Sequence, residues 1–235
     1  MSEPAIAVAF FDPAHGLHGS ARSGVGIIFE GDEAEVLAEP PALAREGAGW
    51  RAGLPGRADL AFEPVSPQAK LGGARARLCR VSGRAGERQI DCLGTVSETR
   101  RPPAWRELDA TRWISAVFDP AHALLAYARR PRGAAGHGEE STVGWLIEDE
   151  DLLSVEEARV STVYDGDGRQ RSARLELWLA GEDLPRRLTG EARTGVSLAL
   201  EGLDVHTAVF GWRMEGREGI GAYELTVREQ PRAAA

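Results

Sequence analysis

The chain writes one phrase twice. AFFDPAHGLHGSAR occupies residues 9–22 and AVFDPAHALLAYAR residues 116–129, with nine of fourteen positions identical at an offset of 107. A second block follows in the same order: VGIIFEGDE from Val25 matches VGWLIEDED from Val143, now at an offset of 118. The change of offset places an eleven-residue insertion in the second copy, within the stretch RPRGAAGHGEE at 130–140. A third, looser pair is the ARL that opens ARLCRVSGRAGERQI at Ala76 and ARLELWLAGEDLPRRL at Ala173. A period this long marks a duplicated, domain-sized unit rather than a solenoid turn. The 235 residues are therefore read as two homologous halves of roughly 100 residues each.

Both halves carry the periodicity of strands. Val196, Leu198 and Leu200 alternate with their neighbours, as do Val205, Thr207 and Val209, and Tyr223, Leu225 and Val227. That two-residue repeat belongs to a strand with one face buried. Asp165-Gly166-Asp167-Gly168 is a hairpin signal, Gly31-Asp32 marks a turn, and Ser82-Gly83 predicts another. Two short stretches, 33–45 and 149–158, have room for a helical turn, and Pro40 and Pro41 limit the first. Many short strands with Gly-rich turns predict an all-β sandwich or barrel. Prolines and charges interrupt the pattern most clearly across 98–112. The expected organisation is a first β-half over 1–100, a linker over 101–111, and a second β-half over 112–235 carrying the inserted loop 130–140.

Charge and motifs remove several functions. The net charge of −8 argues against non-specific nucleic-acid binding, which needs clustered Lys and Arg to neutralise phosphates. No apolar run reaches the length of a membrane-spanning helix, and the N-terminus lacks the pattern of an export signal. The cytoplasm is the expected compartment, and Cys79 and Cys92 are expected as free thiols. No glycine motif sits between a strand and a helix, and no nucleophile elbow is present. Asp12, His15 and His18 have a spacing that zinc or iron could use, but there is no dense histidine cluster. The reading therefore takes no metal and no cofactor.

The segment GWRMEGREGIGAYELTVRE, residues 211–229, joins a Gly-rich turn to an aromatic-Glu-Leu-Thr strand. It resembles the closing strand of the AttH-like and hydroxyneurosporene synthase (carotenoid hydratase) group of tandem lipocalin-like proteins. The duplicated β-organisation resembles that group as well. The resemblance implies two calycin-type antiparallel β-barrels or half-barrels packed together. It also implies a hydrophobic small-molecule site and acid–base chemistry on isoprenoid-like substrates.

Candidate residues follow from strand parity and from the repeat. Each FDPAH motif sets a carboxylate three residues from an imidazole, at Asp12 and His15 and at Asp119 and His122. Such a pair can act as acid or base, but a turn needed by both copies explains the duplication better, because Asp-Pro opens turns and Asp accepts backbone N–H bonds. His18 has Leu125 as its counterpart, and this asymmetry makes it the sharper functional candidate. Asp204 and His206 share a strand face and form the proton-handling pair of choice; Glu224 is the next carboxylate, ahead of Glu176. Trp145, Trp178, Trp212, Tyr164, Phe210 and Tyr223 concentrate aromatic surface in the second half, either as core or as the wall of an apolar pocket. His137, Glu139 and Glu140 in the insertion could form a polar lid over it. The leading expectation is an enzyme that cyclises, hydrates or isomerises a terpenoid or polyketide-like substrate without a cofactor. A non-catalytic carrier or sensor of such a ligand and a β-sheet interaction module are the alternatives.

Overall fold

The computed structural model describes residues 3–135 and 139–228. Its long elements among the described residues are all strands, and a 3-10 turn lies at Trp105–Glu107. The first half contributes β1 (Ala5–Asp12), β2 (Leu17–Arg22), β3 (Val25–Glu30), β4 (Glu33–Val36), β5 (Ala42–Glu46), β6 (Gly49–Leu54), β7 (Ala58–Pro64), β8 (Ala69–Leu71), β9 (Ala74–Ala85) and β10 (Arg88–Thr99). The second contributes β11 (Leu108–Asp119), β12 (His122–Pro131), β13 (Ser141–Glu148), β14 (Asp151–Tyr164), β15 (Gln170–Leu179), β16 (Arg186–Leu200), β17 (Leu203–Met214) and β18 (Arg217–Arg228). All pairings are antiparallel.

The second half closes on itself in the order β11 to β18, with β18 returning to β11. The first runs β4-β3-β2-β1-β10-β9-β7-β6-β5, with β8 beside β9, and stays open between β4 and β5. Proline accounts for the difference. The uninterrupted β14 pairs with both β13 and β15. Its counterpart is cut in two, β4 on β3 and β5 on β6, across a break containing Pro40 and Pro41. Proline offers no N–H to a ladder, so no strand runs through. The long β16 is matched in the same way by β7 and β8, which both lie along β9 and are separated by a stretch containing Pro67.

The FDPAH copies occupy equivalent hairpins, β1–β2 and β11–β12. The offset change also has its structural match. Ser23-Gly24 links β2 to β3, whereas residues 132–140 link β12 to β13. The third repeat block is corrected: Ala76 lies on β9 and Ala173 on β15, which hold different places in the strand order. The helical turns expected at 33–45 and 149–158 are strands β4, β5 and β14. The hairpin expected at Ser82-Gly83 turns instead at Gly86, with φ of 58°. Gly83 lies inside β9, where an added Cβ would come 2.2 Å from the Asp59 carbonyl oxygen. Its glycine signals close strand approach, not a turn.

Three apolar layers result. Phe10, Leu60, Phe62 and Val81 fill the open half. Leu124, Leu146, Leu175, Leu177 and Phe210 fill the barrel. A third layer joins the halves, with Phe11, Phe29 and Leu78 against Leu125, Ile147 and Val209. This explains why the runs AFF and GIIF are apolar on consecutive residues: Phe10 and Ile28 point into the half-barrel, Phe11, Ile27 and Phe29 toward the other half. Cys79 and Cys92 are free thiols, both pushed up to about 12 by burial. Among the described residues no helix is long and apolar enough to cross a membrane.

Candidate active site in the closed barrel

Parity decides which side chains enter the barrel. On β17, Ala208, Phe210, Trp212 and Met214 belong to its core. Asp204 and His206 share that parity and face inward near the end where β12 finishes, β13 begins, and the connections 165–169 and 201–202 lie. On β18, Tyr223 and Leu225 face inward, while Ile220 packs in the layer between the halves. On β11 the inward row is Ala110, Arg112, Ile114 and Ala116.

The floor of the site is aromatic. Phe210 stacks on Trp212 at 4.9 Å between ring centroids and meets Tyr223 at 5.4 Å. Trp212 lies flat over Gly190, where an added Cβ would come 2.2 Å from the indole. Above this floor is a polar group built from six strands and a loop. The Arg112 side chain, 3% exposed, forms an ion pair through Nη1 with Glu140 Oε2, and its Nη2 donates to the Tyr164 hydroxyl at 3.3 Å. The Tyr223 hydroxyl bonds Thr162 Oγ1 at 2.7 Å. Gln170 Nε2 donates to the carbonyl oxygens of His206 at 3.1 Å and Tyr223 at 3.3 Å, fixing β15 against β17 and β18 at this end. His206 Nδ1 bonds Ser197 Oγ at 2.7 Å.

Burial tunes these groups in complementary directions. It pushes the Tyr223 phenol up to about 12, with nearby Arg112 opposing. It lowers the His206 imidazole below its usual range, against the pull of Asp204. At neutral pH the site therefore holds an uncharged imidazole able to accept a proton, a phenol able to donate one, and a guanidinium able to face an oxyanion. Among the described residues no cluster of three or more His, Cys, Asp or Glu is placed to hold a metal ion.

The other sequence candidates lie elsewhere. Glu224 points out of the barrel and pairs with Arg22 of the first half at 2.8 Å. Trp145 also faces outward, packs in the layer between the halves, and donates Nε1 to the Lys70 carbonyl at 2.8 Å. Trp178 is on the outer face of β15, beneath the Arg159 guanidinium at 4.7 Å. These three share no wall with Trp212 and Tyr223, because alternation puts them on the opposite face. Glu176 is likewise outward, beside Arg187 at 3.5 Å. His18 is 5% exposed, close to Phe11 in the layer between the halves, and is lowered to about 4 by burial and by Arg193, against Asp12. Glu139 is exposed, and His137 lies outside the described residues. The FDPAH pairs both form, His15 on Asp12 at 2.7 Å and His122 on Asp119 at 2.8 Å, and Asp119 also accepts from the Ala121 N–H at 2.8 Å.

Arg112, Thr162 and Gln170 were not singled out from sequence, whereas Tyr164 belongs with the aromatic residues of the second half that were. Arg112 was detectable: in ATRWISA it shares the parity of Ala110, Ile114 and Ala116, a charge on an apolar face. A cavity of about 390 Å³ opens at the mouth of the open half, floored by Leu17 and Ile28. Its rim charges are already matched, with Glu30 between Arg57 at 3.4 Å and Arg88 at 2.8 Å.

A family model described as Domain of unknown function (DUF7064) matches residues 101–229, just over half of the chain. No curated protein matches in sequence. Among solved structures, a protein described as AttH from Nitrosomonas europaea superposes with a TM-score of 0.66 at 12% identity, covering 97% of this chain and 93% of its own. CghA, solved with Sch210972, gives 0.64 at 11% identity, covering 96% and 89%. Kievitone hydratase from Nectria haematococca gives 0.61 at 8% identity, covering 97% and 89%. The fold is thus that of the AttH-like tandem lipocalin-like proteins, over nearly the whole length.

Proposed function

We propose that this chain, which belongs to the DUF7064 family, binds an apolar small molecule in its closed barrel and performs acid–base chemistry on it without a cofactor. The observation that carries this reading is the convergence of Arg112, Tyr164, Thr162 and Tyr223 above the aromatic floor of Phe210 and Trp212, with His206 on the inward row of β17 near the same end. Two structural neighbours support it: one is named as a hydratase and another was solved with a bound small molecule. Cyclisation, hydration or isomerisation of a terpenoid or polyketide-like substrate fits the residues. His206 takes a proton from carbon or water, Asp204 steadies the imidazolium that forms, and Tyr223 donates to the acceptor. Arg112 places a fixed positive charge beside the two tyrosine hydroxyls, and the aromatic floor excludes water.

The test uses wild type, His206→Ala and Tyr223→Phe against a panel of unsaturated terpenoid and polyketide alcohols and ketones. Binding is followed by calorimetry and products by mass spectrometry, hydration as gain of water and the other reactions as retention shifts at constant mass. Both variants should bind within a few-fold of wild type and lose turnover on the order of 10²-fold or more. Full turnover in both variants would refute the assignment. Binding without turnover in wild type would establish a carrier.

A further inference from the structure

Arg112 poses a problem that the acid–base reading leaves open. Its side chain is 3% exposed, in a row with Ala110, Ile114 and Ala116. A guanidinium taken out of water needs a counter-charge. The barrel wall supplies neutral partners around it: the Tyr164 hydroxyl at 3.3 Å and, close by, the Tyr223 phenol, held neutral by burial. The negative charge comes from Glu140, 6% exposed, at the end of the connection between β12 and β13. In the duplicated first half that connection is only Ser23-Gly24, and the residue at the Arg112 position is Ala5. The cation and the loop carboxylate that meets it are thus both peculiar to the second half.

We infer that the ligand of the closed barrel carries a carboxylate that seats on Arg112, and that Glu140 is its internal competitor in the ligand-free chain. The inference rests on the closed barrel being the ligand site. One planar guanidinium matches one carboxylate, two parallel N–H groups to two oxygens. The Tyr164 hydroxyl stands beside it as a further donor. The anion that the guanidinium already accepts in the ligand-free chain is itself a carboxylate, that of Glu140. The apolar body of the ligand then lies along Phe210 and Trp212, which sets the reacting carbon between the carboxylate anchor and the aromatic floor.

The experiment titrates the full chain calorimetrically with decanoate, decanol and decyl phosphate, each below its aggregation concentration. Glu140→Gln should tighten decanoate by about tenfold or more and change decanol less than about twofold. Glu140→Asp, which keeps the charge but shortens its reach, should give an intermediate gain and guards against a folding defect in the first variant. Equal tightening of decanoate and decanol would overturn the inference, because Glu140 would then be only a steric plug. Unchanged affinity for both, with decanol bound, would overturn it by making the ion pair purely structural. Decyl phosphate binding Glu140→Gln more tightly than decanoate would overturn the carboxylate assignment. Failure of all three probes to bind any form would instead refute the barrel as the ligand site.

Discussion

Acidification from about pH 7.5 to about pH 4 should strip stability from this protein through His18. The imidazole is 5% exposed between the two halves, and among the described residues its Nδ1 has no hydrogen-bond partner. Burial, assisted by Arg193 and opposed by Asp12, lowers it from 6.5 to about 4. The sign follows from proton counting. The unfolded chain binds a proton near pH 6.5 and the folded chain refuses it until about pH 4. Between those values the unfolded state holds more protons, so stability falls as pH falls and levels off below the folded value. At about 1.4 kcal/mol per pH unit the loss is about 3 kcal/mol, a large part of the stability of an ordinary domain. Urea unfolding followed by tryptophan fluorescence, at a series of pH values for wild type and His18→Gln, isolates it. Carboxylates and the other histidines contribute equally to both proteins and cancel in the difference. The wild-type curve should fall more steeply across that window, by about 3 kcal/mol in total. Parallel curves would refute the argument, since the folded chain would then accept the proton as readily as the unfolded one.

Three further outcomes are expected. Asp119→Ala removes the bond to the Ala121 N–H and the pair with His122, and should cost about 1–2 kcal/mol in chemical denaturation while leaving ligand affinity intact. Gly221→Ala puts a Cβ 1.9 Å from the Ser115 carbonyl oxygen where β18 closes on β11; a loss of at least about 1–3 kcal/mol, read as a fall in denaturation midpoint, is expected. Glu224→Gln breaks the part-exposed pair with Arg22 at 2.8 Å and should cost less than about 1 kcal/mol, diminishing further in high salt.

Much of the fold was legible because duplication is written in residues, whereas pocket geometry is written in parity. The FDPAH hairpins and the insertion could be located from the repeat offsets alone, and Asp165-Gly166-Asp167-Gly168 does turn β14 into β15, with Asp165 Oδ1 accepting from the N–H groups of Asp167 and Arg169 at 2.9 Å each. What could not be read was which face of each strand is inside. In most sheet proteins one face is polar, but here β12, β13, β17 and β18 bury their outer faces against the first half. Apolar residues on both faces remove the contrast by which Trp145 and Trp212 could be told apart. Glu224, polar and on an apolar strand, had the look of an inward acid. Its partner Arg22 is 202 positions away, and no local pattern announces it. Arg112 was legible as a charge in line with Ala110, Ile114 and Ala116, but its partners Tyr164 and Glu140 come from distant segments that no local pattern announces.

The two copies have diverged in opposite physical directions, and this bears on where chemistry can occur. Prolines interrupted the first copy at two strands and left it open between β4 and β5. The second has β14 and β16 continuous, closes through Gly221, and carries both Arg112 and Glu140. A barrel without a gap can hold a buried cation and a high-pKa phenol away from water, which strengthens their interaction. An open sheet would admit water and weaken it. The first half contributes differently, by burying the outer faces of β12, β13 and β17 under Phe11, Ile27, Phe29 and Leu78. Those strands, with the strands packed beside them, carry Phe210, Trp212 and Tyr223 on their inner faces. Loosening the layer between the halves should therefore disturb the aromatic floor before it touches any residue that handles a proton.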